Sequence, residues 1–122
     1  MKKRILFVDD DIDLLQLYKK TFRLKYRDVI ADFEYSPADA IKKLDKKKYN
    51  IIVTDYKMPA INGGMLLNIV KEKRPDIIRI ILTAYIDEAL KSDYNDPFCY
   101  FLKKPIVMGE LMDTIEIAMK IK

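Results

Sequence analysis

Short apolar runs that alternate with helical patterns from end to end constrain this chain more than any other feature. Arg4-Ile-Leu-Phe-Val8 is a near-continuous apolar run, as expected of a strand covered on both faces. Ile12 to Lys25 then places Leu14, Tyr18 and Phe22 on one helical stripe. Val29 to Tyr35 reads as a second strand and stops at Ser36-Pro37-Ala38-Asp39. There Ser36 suits an N-cap, Pro37 the first helical position and Asp39 the positive end of the helix dipole, so a helix runs on to about Lys46. Tyr49 to Thr54 is a third strand. After a loop from Met58 to Gly64, a helix is expected to carry Met65, Leu66, Ile69 and Val70 toward the core. Ile77 to Thr83 is the fourth strand, and Asp87 to Ser92 allows only a short helix before Asn95-Asp96-Pro97 interrupts it. Phe98 to Leu102 is the fifth strand, and Gly109 to Ile121 the last helix, with Leu111, Ile115, Ala118 and Met119 facing inward.

Five strands alternating with five helices predict an α/β fold, an open doubly wound parallel sheet. Right-handed crossovers put helices on both faces, and such sheets bind ligands beyond the carboxyl ends of their strands. With 122 residues, half of them apolar and 34% charged, the chain reads as one globular domain over 1–122, without repeats or linker. Whether a further domain follows is left open. No apolar run approaches the roughly 18 residues of a spanning helix, and Ile5 to Val8 is too short for a signal peptide. A cytoplasmic protein without membrane insertion is expected.

Histidine is absent and Cys99 is the only cysteine. Internal disulfides, Cys-rich zinc sites, Ser-His-Asp triads and Cys-His pairs are thereby excluded, leaving carboxylates, hydroxyls and lysines for any chemistry. The net charge of +4 is a mild basic excess within the ordinary range.

The placement of the acidic residues is more telling. Strand one ends in Asp9-Asp10-Asp11, strand three in Asp55, strand four in Thr83-Ala84 and strand five in Lys103-Lys104-Pro105. The expected topology brings these ends to one crevice. Two carboxylates about 6 Å apart repel by roughly 3 kcal/mol at an effective dielectric near 20. A hard divalent cation, Mg²⁺ or Mn²⁺, relieves this in an all-oxygen site and attracts a phosphoryl group. A lysine and a threonine hydroxyl can then meet phosphate oxygens, and a carboxylate among them can accept the phosphoryl group.

At this point the sequence resembles the receiver domains of two-component response regulators, whose fold is flavodoxin-like with strand order 2-1-3-4-5. The resemblance rests on Ile5-Leu6-Phe7-Val8-Asp9-Asp10-Asp11, Ile52-Val53-Thr54-Asp55-Tyr56-Lys57-Met58-Pro59, Ile81-Leu82-Thr83-Ala84 and Phe101-Leu102-Lys103-Lys104-Pro105. They occur in the family's order and spacing, and the match extends to Gly109-Glu110-Leu111 at the last helix. The resemblance implies that Asp55 is the phosphoacceptor and forms an acyl phosphate. It implies that Asp10 and Asp55 hold Mg²⁺ with the backbone carbonyl of Lys57, and that Asp9 acts through the metal or a bound water. Lys104 is expected to contact the phosphoryl oxygens, with Thr83 and the Ala84 N–H assisting. Asp11, one place beyond the acidic pair, is expected to cap the first helix instead.

Because the chain has no histidine, a phosphohistidine donor must act in trans, as a histidine kinase or phosphotransfer protein. Slow hydrolysis then makes the protein a self-modifying switch rather than a multiple-turnover enzyme. The family's switching scheme implies that Thr83 moves toward the phosphate and that Phe101 turns inward, although Phe101 also suits ordinary packing between sheet and helix. Lys57 and Tyr85 flank the route of an attacking water and are expected to tune acyl-phosphate lifetime. Ser92-Asp-Tyr-Asn-Asp-Pro97 stands where the family commonly has a longer helix and a glycine-containing turn, so pairing through that face does not follow from the resemblance.

Two other readings compete. Asp9-Asp10-Asp11-Ile12-Asp13 loosely resembles the nucleophile motif of haloacid-dehalogenase phosphatases, but that family has no natural role for Asp55-Tyr-Lys-Met-Pro59. A non-phosphorylated interaction module that binds nucleic acid or a protein would use Lys42-Lys43 and Lys46-Lys47-Lys48, although lysines ending a helix more often solvate its surface. Direct nucleic-acid binding is not expected. A dinucleotide site is disfavoured because the Asp-rich first turn has no Gly-rich phosphate loop.

Overall fold

The computed structural model describes residues 3–56, 63–84 and 97–121. Its elements are β1 (Arg4–Val8), α1 (Ile12–Lys25), β2 (Ile30–Glu34), α2 (Pro37–Lys46), β3 (Ile51–Asp55), α3 (Gly63–Lys73), β4 (Ile78–Thr83), β5 (Cys99–Lys103) and α4 (Met108–Ile121). All five strands run parallel in the order β2-β1-β3-β4-β5. The doubly wound architecture expected from the sequence is therefore present. Four helices fall among the described residues, and the short helix expected over 87–92 lies outside them.

Period-2 alternation divides the core in two. On one face Ile5, Phe7, Ile51, Val53, Ile80 and Leu82 meet Leu15, Tyr18 and Phe22 of α1 and Leu111, Ile115 and Ala118 of α4. On the other, Leu6, Val8 and Ile52 meet Ala40 and Leu44 of α2 and Leu66 and Val70 of α3. Every residue of β3 and β4 is buried, the polar Thr54, Asp55, Arg79 and Thr83 included, as expected of central strands covered on both faces. Phe7 sits at the centre of an aromatic cluster, with ring centroids 4.9 Å from Phe33, 5.5 Å from Phe22 and 5.6 Å from Tyr18. Burial of one such side chain stabilises the fold by about 1.5–3 kcal/mol.

The helix starts follow the expected chemistry. Asp11 caps α1, its Oδ1 accepting from Leu14 N–H at 3.2 Å. Ser36 Oγ accepts from Asp39 N–H at 3.4 Å, with Pro37 opening α2.

In α3 the sequence reading needs correction: Met65 is exposed, and Leu67 is buried beside Leu66 and Val70. Lys71 and Lys73 occupy its last turn, but its first turn has no acidic residue. Packing against the sheet, rather than a local start signal, sets which side turns inward.

The edge strand β2 is only half-buried and is held by a polar hub. Asp32 Oδ2 accepts from Tyr49 Oη at 2.6 Å and Arg4 at 3.3 Å, with Lys47 at 3.6 Å. Burial alone pushes the Asp32 carboxyl up, but Tyr49, Lys47, Lys43 and Arg4 outweigh it and hold the group below the ordinary range. Lys43 also pairs with Glu34 at 2.7 Å.

Candidate functional site

The ladder register brings the expected residues together at the carboxyl end of the sheet. Val8 lies opposite Thr54, so Asp9 and Asp55, each the next residue, emerge side by side. Asp55 is level with Leu82 of β4, and Thr83 with Lys103 of β5. Past β5, the Lys104 N–H donates to the Thr83 carbonyl at 2.8 Å. Backbone pairing alone thus aligns the strand ends that carry Asp9, Asp55 and Thr83 beside the Lys104 loop.

Asp9, Asp55 and Thr83 are buried, Asp10 and Ala84 are exposed, and Lys104 lies between. Asp9, Asp10 and Asp55 each offer a carboxylate oxygen, all within 4.8 Å of one another. Lys104 Nζ reaches Asp55 Oδ2 at 2.7 Å. Asp9 Oδ1 accepts from Asp11 N–H at 2.9 Å, whereas its buried Oδ2 has no hydrogen-bond partner among the described residues. Burial, above all, pushes the Asp9 carboxyl up to about 6. The charges of Asp55 and Asp10 act in the same direction, against the Asp11 N–H and Lys104.

These residues fit a hard divalent cation. The donors are all oxygens, all within 4.8 Å of one another, and one carboxylate, that of Asp10, faces solvent. Asp11 is committed to its helix cap, as expected. Phe101 is half-buried on β5, opposite Ile81. Lys57 and Tyr85, expected as a metal ligand and as tuning residues, lie outside the described residues.

Tyr18 has a place near this site that periodicity did not reveal. It belongs to the apolar stripe of α1, yet its buried hydroxyl has no hydrogen-bond partner among the described residues, and burial first, then the charges of Asp9, Asp55 and Asp11, hold its proton on. The available signal was a phenol in an otherwise apolar row.

Residues 5–116 match the response regulator receiver domain. The chain belongs to that family. The response regulator receiver protein CpdR of Brucella abortus is 29% identical to it over 116 residues, covering 93% of this chain and 94% of that one. The hydrogenase transcriptional regulatory protein HoxA of Cupriavidus necator is 28% identical over 118 residues, covering 95% of this chain and 24% of HoxA. This receiver chain spans about a quarter of the length of the transcriptional regulators it matches. Among solved structures, the Francisella response regulator 1452 receiver domain matches with a TM-score of 0.84 and 25% identity over 98% of each chain. Two-component signalling is the setting of this family. Among the described residues, no helix is long and apolar enough to cross a membrane.

Proposed function

We propose that residues 1–122 act as a phosphoacceptor receiver domain, with Asp55 taking a phosphoryl group from a phosphohistidine supplied in trans. The observation that carries this reading is the 2.7 Å pair between Lys104 Nζ and Asp55 Oδ2 beside the Asp9–Asp10–Asp55 cluster. A carboxylate oxygen of Asp55 attacks phosphorus, a P–O bond forms, and the P–N bond to the donor imidazole breaks. Lys104 then binds phosphoryl oxygens in place of the carboxylate, while the Thr83 hydroxyl and Ala84 N–H donate to the same group.

Asp10, Asp55 and the backbone carbonyl of Lys57 would hold Mg²⁺, or Mn²⁺, with Asp9 acting through a bound water. When bound, the cation supplies charge neutralisation for the carboxylates and for the incoming phosphoryl oxygens. Water later hydrolyses the acyl phosphate, with Lys57 and Tyr85 tuning its lifetime. The protein is then a self-modifying switch rather than a multiple-turnover enzyme. Added phosphoryl charge biases Thr83 and Phe101 between two arrangements that a downstream effector reads. A histidine kinase or phosphotransfer protein is the donor, and the cytoplasm the setting.

The rival readings gain no support from the geometry. Lys43 and Lys47 are drawn into pairs with Glu34 and Asp32, which reduces the lysine cluster available to nucleic acid. Incubation with Mg²⁺ and acetyl phosphate should add one phosphoryl group, as read by intact mass, and Asp55→Asn should abolish the gain. Multiple turnover of a generic phosphate ester would mark a phosphatase, and an undiminished gain in Asp55→Asn would defeat the reading.

A further inference from the structure

Among the described residues, two buried side-chain polar atoms have no hydrogen-bond partner: Tyr18 Oη and Asp9 Oδ2. One is a donor and the other an acceptor. They also lie on the same side of the sheet. Phe7 and Asp9, two places apart on β1 and its continuation, share a face, and the Tyr18 ring packs 5.6 Å from the Phe7 ring on that face. Helical side chains lean toward the helix N-terminus, and α1 begins directly after Asp9-Asp10-Asp11. The phenol is therefore directed from the level of Phe7 toward the acidic cluster. The electrostatics agree: burial is the largest influence holding the phenol proton on, followed by the charges of Asp9, Asp55 and Asp11.

Buried donors and acceptors rarely stay unanswered, and an internal water is the usual bridge where a polar pair lies beyond direct reach. We propose that Tyr18 is a positioning residue for the cation-binding carboxylates, its hydroxyl donating to an internal water that in turn donates to Asp9 Oδ2. The inference rests on the reading of this cluster as a cation and phosphoryl site. Asp9 would then be fixed at both oxygens, by the Asp11 N–H on Oδ1 and from the core side on Oδ2. A carboxylate held in this way loses less freedom when a cation arrives.

The test is a double-mutant cycle on the full chain, with Mg²⁺ affinity read by titration calorimetry. Tyr18→Phe keeps the ring and removes only the hydroxyl. It should weaken Mg²⁺ binding by about three- to tenfold, the size expected for loss of one water-mediated partner of a ligand. In an Asp9→Asn background the same change should alter affinity by less than about twofold, because the group it positions is gone. The metal-free melting temperature supplies a second readout. A hydroxyl answered by water gives no gain on removal, whereas an idle buried hydroxyl gives a rise of more than about 3 °C in Tyr18→Phe. Unchanged Mg²⁺ affinity in Tyr18→Phe, an equal loss in both backgrounds, or that rise in melting temperature would overturn the proposal and leave the metal site standing. Failure of the wild-type chain to bind Mg²⁺ would overturn both. A high-resolution crystal structure gives an independent check: a water within hydrogen-bond distance of both Tyr18 Oη and Asp9 Oδ2 supports the bridge, and apolar packing between them overturns it.

Discussion

Lys104 reaches across the carboxyl end of β4 to place its ammonium 2.7 Å from Asp55 Oδ2. The lysine follows β5 and the aspartate ends β3, so their meeting depends on the intervening strand keeping its register. The pair holds the proposed acceptor oxygen beside a cation that can move to an arriving phosphoryl group.

Lys104→Met keeps much of the side-chain length and removes the charge. Phosphorylation of Asp55 by acetyl phosphate should slow by about a hundredfold, the usual cost of losing one preorganised donor to a transferring group. Time-resolved intact mass measures this, and a rate within threefold of wild type would count against the assigned role.

Asp9 should make stability depend on pH in an unusual direction. Its folded-state pKa is raised to about 6 from 3.8, so its ionised form penalises the metal-free fold. The penalty, about 3 kcal/mol at most, is fully present above pH 6. It shrinks as pH falls toward 3.8, where the unfolded chain also takes up the proton. Asp9→Asn should therefore stabilise the metal-free protein at pH 7.5 and lose that advantage near pH 4. Urea unfolding at the two pH values checks the sign.

Mg²⁺ should raise the melting temperature and a chelator should reverse the rise. At a hundred times the dissociation constant, the stabilisation is about 2.7 kcal/mol. Asp10 is exposed, so Asp10→Ala should leave metal-free stability within about 0.5 kcal/mol of wild type while removing most of the Mg²⁺-dependent shift. Calorimetric melts with and without Mg²⁺ separate the two effects.

Phe7→Ala should cost about 3–5 kcal/mol, because it empties the centre of the cluster formed with Tyr18, Phe22 and Phe33. Chemical denaturation measures it. A loss under 1 kcal/mol would mean that the neighbouring rings collapse into the space.

Local signals carried much of the fold into the sequence. The Asp11 and Ser36 caps mark where α1 and α2 begin, and the near-continuous apolar run of β1 declares two-sided burial. The convergence of Asp9, Asp55, Thr83 and Lys104 was legible because each stands at or just past a strand end of one parallel sheet. Met65 and Leu67 were not, since α3 has no acidic residue in its first turn and the sheet decides which side is buried. The hydroxyl of Tyr18 was hidden because periodicity tells which face a residue occupies, but not what its polar tip meets. The hub at Asp32 joins Arg4, Lys47 and Tyr49 through contacts that no short window of sequence contains.

That hub also bears on how copies of the chain treat one another. An outer strand offers unpaired backbone N–H and C=O groups to any extended segment that comes alongside, the first step toward fibrous aggregation. Here α2 and its C-terminal cap lay Lys43 and Lys47 against Glu34 and Asp32 of β2, so the outer strand carries charged side chains of both signs, a composition that discourages pairing with another strand. Contacts that anchor the strand within its own sheet thus also guard the molecule against adding another's.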